Sequence, residues 1–345
     1  MKKQPLSHSH LSTSSHKAFL RVSFKQSRGV ALIMALMVFA LVAAIASSIM
    51  MQLSRERDLL TNMQNTAVLK QQLLGGEAWA RHAFALMEKS TLPSVTEVPL
   101  ILKTQHFVLD DDDDSMRVSI IDRQNCYNLN RLTDDENSDE MLAEVKRLLT
   151  SVNLNGEIGE QLKDWIDNDQ DISGEGGHED EFYQALSPPF RTADSKLVSE
   201  TELMLLQLSD EKLKILLKHF CAWPEDIGIN INRVSPKLLN AVLPSLTDDD
   251  SSKLMAHIAT AGFDSIKDFL QHDSLASFDV EESDWRVDIA FVDVFVDVTL
   301  GGRTMSLHSK LYKANNGVVS SYYRAYGWNR RLQQLFGITN DAGGQ

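Results

Sequence analysis

The hydrophobic pattern divides the chain into an unbroken apolar block, a long stretch of helical spacing, and a short alternating region. Residues 30–46 are apolar throughout, and no charged residue occurs from 29 to 54. A helix needs about 20 such residues to cross a bilayer, so a transmembrane helix is expected. A buried helix of a soluble protein fits poorly with so long a stretch without charge. A cleavable secretory signal is the stronger rival, because Ala44-Ile45-Ala46-Ser47 loosely fits an A-x-A site. The long leader and an apolar run reaching Met51 weigh against it. Residues 52–89 contain no proline, and Leu59, Met63, Thr66, Leu69, Leu73 and Leu74 recur at three- and four-residue spacing. One helix running from the membrane into an amphipathic stem is expected, weakened at Gly75-Gly76 and bounded by Pro93.

Beyond the stem, residues 115–122 alternate as a strand would. Apolar spacing then predicts helices near 139–151, 157–166, 199–207, 209–221, 235–243, 248–260 and 264–271. Caps support three of them: Ser199 with Glu202, Ser209 with Lys212, and Ser235 before Pro236. From 285 to 300 the period changes to two, with Val292, Val294, Val296, Val298 and Leu300 facing one way. Asp293, Phe295, Asp297 and Thr299 face the other, which predicts a half-buried strand. Gly301-Gly302 and Asn315-Asn316-Gly317 turn the chain into strands 303–313 and 318–326. The fold class is therefore α+β: a long helix packed on an antiparallel sheet, with a large all-α insertion between the first strand and the closing meander.

Charge adds an address and an exclusion. Residues 1–28 carry six basic residues and no acid, which leaves 28 of the 34 Lys and Arg against all 48 Asp and Glu in the remainder. Basic residues beside an apolar helix stay cytoplasmic, so the acidic body is expected on the far side. A body so acidic repels phosphates, which argues against nucleic acid and against reading the repeated short helices as helix-hairpin-helix modules. The five aspartates at 110–114 read as a solvated loop. No G-x-S-x-G, H-E-x-x-H or phosphate loop occurs, so no enzyme activity is expected.

Arg28-Gly29 followed by Val30-Ala31-Leu32-Ile33 and the apolar helix resembles a type IV prepilin leader. That resemblance implies cleavage after Gly29 by a prepilin peptidase and methylation of the new N-terminus at Val30. The fifth residue after the cut is usually Glu in pilins, where it would meet the amino group of a neighbouring subunit; here it is Met34. A carboxylate in the bilayer is costly unless paired, so its loss suits a subunit with none ahead of it. This departure is characteristic of the minor pseudopilins K of type II secretion systems. The segment Asp122-Arg123-Gln124-Asn125-Cys126-Tyr127-Asn128-Leu129-Asn130 resembles the D-x-x-x-C-F-N-L-N of that family, and its amides are suited to bonding exposed backbone groups.

The most acidic loop starts at Asp164 and runs through Asp167, Asp169 and Asp171 into Gly174, Glu175, Gly176, Gly177, Glu179, Asp180 and Glu181. Alternating carboxylates on a turning loop can converge on one hard cation, and calcium takes six to eight oxygens. It is no EF-hand, because Ile172 holds the glycine position and His178 the twelfth. A solvated acidic surface loop is the alternative from composition. The runs 164–171, 177–183 and 189–194, with Ser199-Glu200-Thr201-Glu202-Leu203 and Asn230-Ile231-Asn232, are similar to the K pseudopilins. The resemblance covers roughly residues 28–335 and implies one or two calcium ions on Asp167, Asp169, Asp171, Glu179 and Asp180, with Glu175 as a weaker candidate. It also implies a disulfide between Cys126 and Cys221, in keeping with an oxidising periplasm.

By that resemblance the fold is pilin-like with a SAM-like helical insert. The parts are a cleaved leader (1–29), a transmembrane and stem helix (30–92), a first part of the pilin-like domain (93–130), the inserted helical domain (131–275), closing strands (276–330) and a tail (331–345). The implied role is the tip subunit of the secretion pseudopilus, nucleating assembly for export of folded proteins. The implied partners are minor pseudopilins I and J, other pseudopilins, the inner-membrane assembly platform and the prepilin peptidase. The implied location is a single pass of the inner membrane with a cytoplasmic leader and a periplasmic body. A membrane-tethered, metal-dependent hydrolase or binding protein is the other reading.

Overall fold

A computed structural model describes residues 28–87, 100–109, 113–133, 137–225, 227–278 and 280–327. The protein forms two units, 1–63 and 64–345. The described part of the first is the beginning of helix α1 (Arg28–Ala85), whose side chains from 29 to 63 are exposed within the protein. Its most apolar stretch has a mean hydropathy of 2.8, enough for a membrane span.

The second unit is built on a five-stranded antiparallel sheet in the order β1 (Leu100–Val108), β2 (Ser115–Asp122), β7 (Phe291–Leu300), β8 (Arg303–Lys313) and β9 (Val319–Tyr326). Central β7 lies between β2 and β8, with Val118 opposite Val296 and Leu307 opposite Val296 on the other side. The later part of α1 covers one face. Leu69, Leu73, Ala80 and Phe84 recur at helical spacing and pack on Val118, Ile120, Val294, Val296 and Leu307. Gly76, which the sequence marks as a weak point, lies close against the sheet. A Cβ there would stand 2.6 Å from a Val296 methyl carbon, so only glycine admits the contact. The helix stops at Ala85, short of the expected limit at 92. Lys313 Nζ donates to the carbonyls of Ala85 (3.4 Å) and Met87 (3.3 Å), a favourable charge at a helix C-terminus.

Between β2 and β7 lies the helical insert: α2 (Ser138–Ser151), α3 (Glu157–Ile166), α4 (Asp180–Gln184), α5 (Asp210–His219), α6 (Pro236–Val242), α7 (Asp248–Thr260) and α8 (Ile266–Leu270). These share one core around Leu148, Leu162, Trp165, Leu216, Phe220 and Phe269. Two-residue strands β3 (Tyr127–Asn128) and β4 (Phe220–Cys221) pair in parallel, as do β5 (Ile229–Asn230) and β6 (Trp285–Arg286). The expected helix at 199–207 is a tighter 3-10 helix, Glu200–Leu205, with the Ser199–Glu202 capping box in place. Ser209 and Ser235 cap α5 and α6. The helix predicted to 221 ends at His219, because Phe220 and Cys221 are taken up in pairing with β3.

Three further differences have local causes. Strand β1 escapes the alternation test because its register shifts between Ile101 and Lys103, which breaks the period of two. Trp285-Arg286 does not continue into β7 but pairs with Ile229-Asn230. The half-buried strand is buried on both faces over its first half, with Asp293 5% and Phe295 7% exposed. Phe295 joins the core of the insert and Lys310 pairs there with Glu200, so the insert covers this end of the second face.

The junction is held by amide side chains of 122–130. Gln124 Oε1 accepts from the Ala290 N–H (2.8 Å), Asn125 Oδ1 from Ser235 (2.9 Å), Asn128 Oδ1 from Trp223 (3.0 Å) and Asn130 Oδ1 from Leu197 (2.7 Å). Each satisfies a backbone donor that no ladder reaches. Of the five aspartates, 110–112 lie outside the described residues, and Asp114 accepts from the Gly301 N–H at 2.8 Å.

Candidate metal centre

The acidic loop is set by α3. Leu162, Trp165 and Ile166 anchor the helix in the core, and the backbone leaves it in extended conformation at Asp167. Asp164, buried on the last turn, turns the loop back by accepting from the Ser173 N–H at 3.0 Å. One turn earlier, Glu160 accepts from the Gly176 N–H (2.6 Å) and pairs with Lys146 (2.5 Å). The glycines permit this closeness: a Cβ on Gly177 would stand 2.3 Å from Asp164 Oδ2. The loop then enters α4, fixed by Tyr183 packed edge-on against Trp165 with ring centroids 5.1 Å apart.

This closure brings Glu179, at the head of α4, to Asp167 and Asp169, one oxygen from each lying within 4.8 Å of the others. Glu179 is 4% exposed, and neither of its oxygens has a hydrogen-bond partner; Asp167 Oδ1 has none either. Burial, followed by the charges of Asp164, Asp167, Asp169 and Asp194, pushes the Glu179 carboxyl up to about 8. Burial and the charges of Asp169 and Asp164 push Asp167 up to about 6. Buried carboxylate oxygens with no donor and mutual repulsion are what a hard cation would relieve, and an all-oxygen set suits calcium chemistry.

The other three expected ligands lie elsewhere. Asp171 and Glu175 are exposed and outside the group. Asp180 is taken up by α4 and the segment after it: Oδ1 accepts from the Thr192 N–H (3.0 Å) and hydroxyl (2.9 Å), and Oδ2 from Gln184 (3.1 Å). Two acids not chosen from the sequence contribute. Asp164 supports the loop, and Asp194, which accepts from the Thr192 hydroxyl at 2.5 Å, adds negative charge at Glu179. Both fall within the acidic runs 164–171 and 189–194, where composition does not say which acid faces inward.

Two family models described as type II secretion system protein K match residues 125–225 and 229–286. Together they take in the junction, the metal loop and the rest of the insert. Curated relatives carry the same description. Type II secretion system protein K of Pseudomonas aeruginosa is 29% identical over 63% of this chain and 66% of its own length. That of Klebsiella pneumoniae is 28% identical over 87% of this chain and 98% of its own length. The chain belongs to the protein K family of type II secretion systems. One polypeptide in the crystal structure of the GspK-GspI-GspJ complex from enterotoxigenic Escherichia coli has the same fold, with a TM-score of 0.62 and 22% identity over 78% of this chain and 99% of that one. The family is one of minor pseudopilins, and the apolar part of α1 gives this member a helix fit to anchor it in a membrane.

The remaining residues singled out in the sequence lie outside the acidic loop. Cys126 and Cys221 are joined in a disulfide, with Cα atoms 5.7 Å apart, and pack with Trp223, Ala290 and Phe291. It ties the start of the insert to its middle across 95 residues of sequence. Gly29, Val30 and Met34 all lie in the first turns of α1, with Met34 62% exposed; residues 1–27 lie outside the described residues.

Proposed function

We propose that this protein is the minor pseudopilin at the tip of a type II secretion pseudopilus, nucleating assembly with minor pseudopilins I and J for export of folded proteins. The observation that carries this is a pilin-like helix and sheet bearing an insert larger than the sheet itself, a fold shared with a member of the GspK-GspI-GspJ complex. Such an insert suits an end position, where no neighbour must stack on it. The protein acts by assembly and not by turnover. The apolar part of α1 packs among the helices of other pseudopilins in the inner membrane, and the stem sets the body beyond it. The leader is cytoplasmic and the body periplasmic, as the basic flank directs. The prepilin peptidase cuts after Gly29, and Val30 becomes the methylated N-terminus. Met34 removes the carboxylate that would call for a subunit ahead, and the assembly platform then adds other pseudopilins from below.

Calcium completes the acidic loop. Asp167, Asp169 and Glu179 hold it, and the ion supplies the positive charge that the buried Glu179 lacks. Holding the start of α4 to the end of α3 keeps the insert rigid, as an assembly surface requires.

Co-expression with the I and J pseudopilins of the same system tests the assignment. Affinity purification should recover all three in one complex, and N-terminal sequencing should begin at methylated Val30. Recovery of this protein alone, or an N-terminus at Ser47, contradicts it.

A further inference from the structure

One hollow on the insert runs against the charge of the body. Arg147 on α2 and Lys237 on α6 line a space of about 200 Å3 together with Ser151, Pro236, Asn240 and Ala241. Arg147 is held in place, its Nε donating to the Ala241 carbonyl at 2.7 Å. That leaves the two terminal nitrogens of the guanidinium without an acceptor among the described residues. Glu144, on the same helix, senses this charge but is buried and committed to the Tyr127 hydroxyl (2.7 Å) and to Arg131 (3.6 Å). Lys237 has no ion pair among the described residues and adds to the field of Lys218, and both charges, after burial, hold the His219 imidazole down at about 4. The Asn240 carboxamide oxygen is buried and has no hydrogen-bond partner.

A planar guanidinium with free donors matches a carboxylate. An unused buried acceptor beside it calls for an N–H. A peptide carboxylate offers both within a few ångströms. We propose that the hollow between α2 and α6 binds a peptide carboxylate, its oxygens on Arg147 and Lys237 and its neighbouring amide N–H on Asn240. The carboxylate belongs either to a polypeptide C-terminus or to an acidic side chain, which present the same group. This site lies on elements distinct from those of the metal loop and stands independently of calcium.

The test uses the mature full-length protein in detergent at low ionic strength and fluorescence anisotropy with three labelled Gly-Ser peptides. One has a free C-terminal carboxylate, one an internal glutamate and an amidated end, and one is neutral and amidated. One or both carboxylate peptides should bind saturably and the neutral peptide should not, the two arms identifying the source. Arg147→Gln should weaken binding about tenfold and Lys237→Gln about fivefold, in line with loss of one charged contact, while Lys267→Gln on α8 changes nothing. Lys237 is exposed, so its variant decides the matter if Arg147→Gln does not fold. Equal anisotropy for all three peptides, or equal weakening by Lys237→Gln and Lys267→Gln, overturns the proposal.

Discussion

The stem–sheet junction and the acidic loop each bury a glutamate, and the two are treated in opposite ways. Glu77 on α1 is 0% exposed, and Arg324 from β9 meets it with a pair of hydrogen bonds at 2.6 and 2.8 Å, with Arg81 adding a third at 3.2 Å. Burial pushes this carboxyl up, but the hydrogen bonds and charge of Arg324 outweigh it and hold it below its ordinary value. Glu179 is almost as buried, and its neighbours are other carboxylates. Near-equal burial with unequal partners separates a site that the protein completes by itself from one that the proposed cation would complete. The first is a fastener between helix and sheet; the second is a socket.

The largest effect should come from breaking the fastener. Arg324→Ala leaves a fully buried carboxylate with only Arg81 and the Ser309 hydroxyl and should cost about 3 kcal/mol of unfolding free energy, as loss of one partner of a buried pair does. Chemical denaturation measures it, and the cost should be the same with and without calcium. A cost that calcium relieves would show that the two regions are not independent.

The socket should respond to pH with the opposite sign. A carboxyl raised to about 8 in the fold destabilises the metal-free protein above that pH, and the penalty is relieved as pH falls through 8 toward the unfolded value of 4.5. Glu179→Gln should therefore be more stable than the parent by about 1 kcal/mol at high pH in chelator. The difference should shrink steadily below pH 8, and the two should melt together only at or below about 4.5, where Glu179 is protonated in the folded and the unfolded chain alike. Glu77, lowered in the fold, gives stability that is present above 4.5 and lost as pH falls through its folded value. Thermal melts across the pH range in chelator would separate the two, and a parent that loses stability between pH 8 and 6 would contradict the account.

The difference between the two glutamates was not legible in the sequence. Stem spacing marks Leu69 and Leu73 as buried, but nothing in the local pattern pairs Glu77 with an arginine 247 residues away. The helix, the strands 115–122, 303–313 and 318–326, and the helical nature of the insert follow from apolar pattern and turn residues, because each is shaped by its own residues. Strand β1 does not, since a bulge breaks its alternation. The burial of Asp293 and Phe295 does not, since it depends on an insert that returns to cover the sheet. In the acidic loop, composition gives the candidates but not which ones face inward. Asp164 and Glu160 bend the loop through the backbone N–H groups of Ser173 and Gly176, and that bend selects Asp167, Asp169 and Glu179 over Asp171, Glu175 and Asp180.

The smallest effect tests that selection. Asp171→Asn, on an exposed side chain outside the group, should change unfolding free energy by less than about 0.5 kcal/mol with calcium or without it. A loss of calcium response in this variant would move the site toward the start of the loop.

The contrast between fastener and socket is tested most directly by a calcium titration of thermal unfolding for the mature protein, Arg324→Ala and Glu179→Gln in parallel at neutral pH. At about a hundredfold excess over Kd, calcium should stabilise the parent and Arg324→Ala alike by about 2.7 kcal/mol and leave Glu179→Gln close to its metal-free melting temperature. An equal rise in Glu179→Gln, or no rise in the parent, would contradict it.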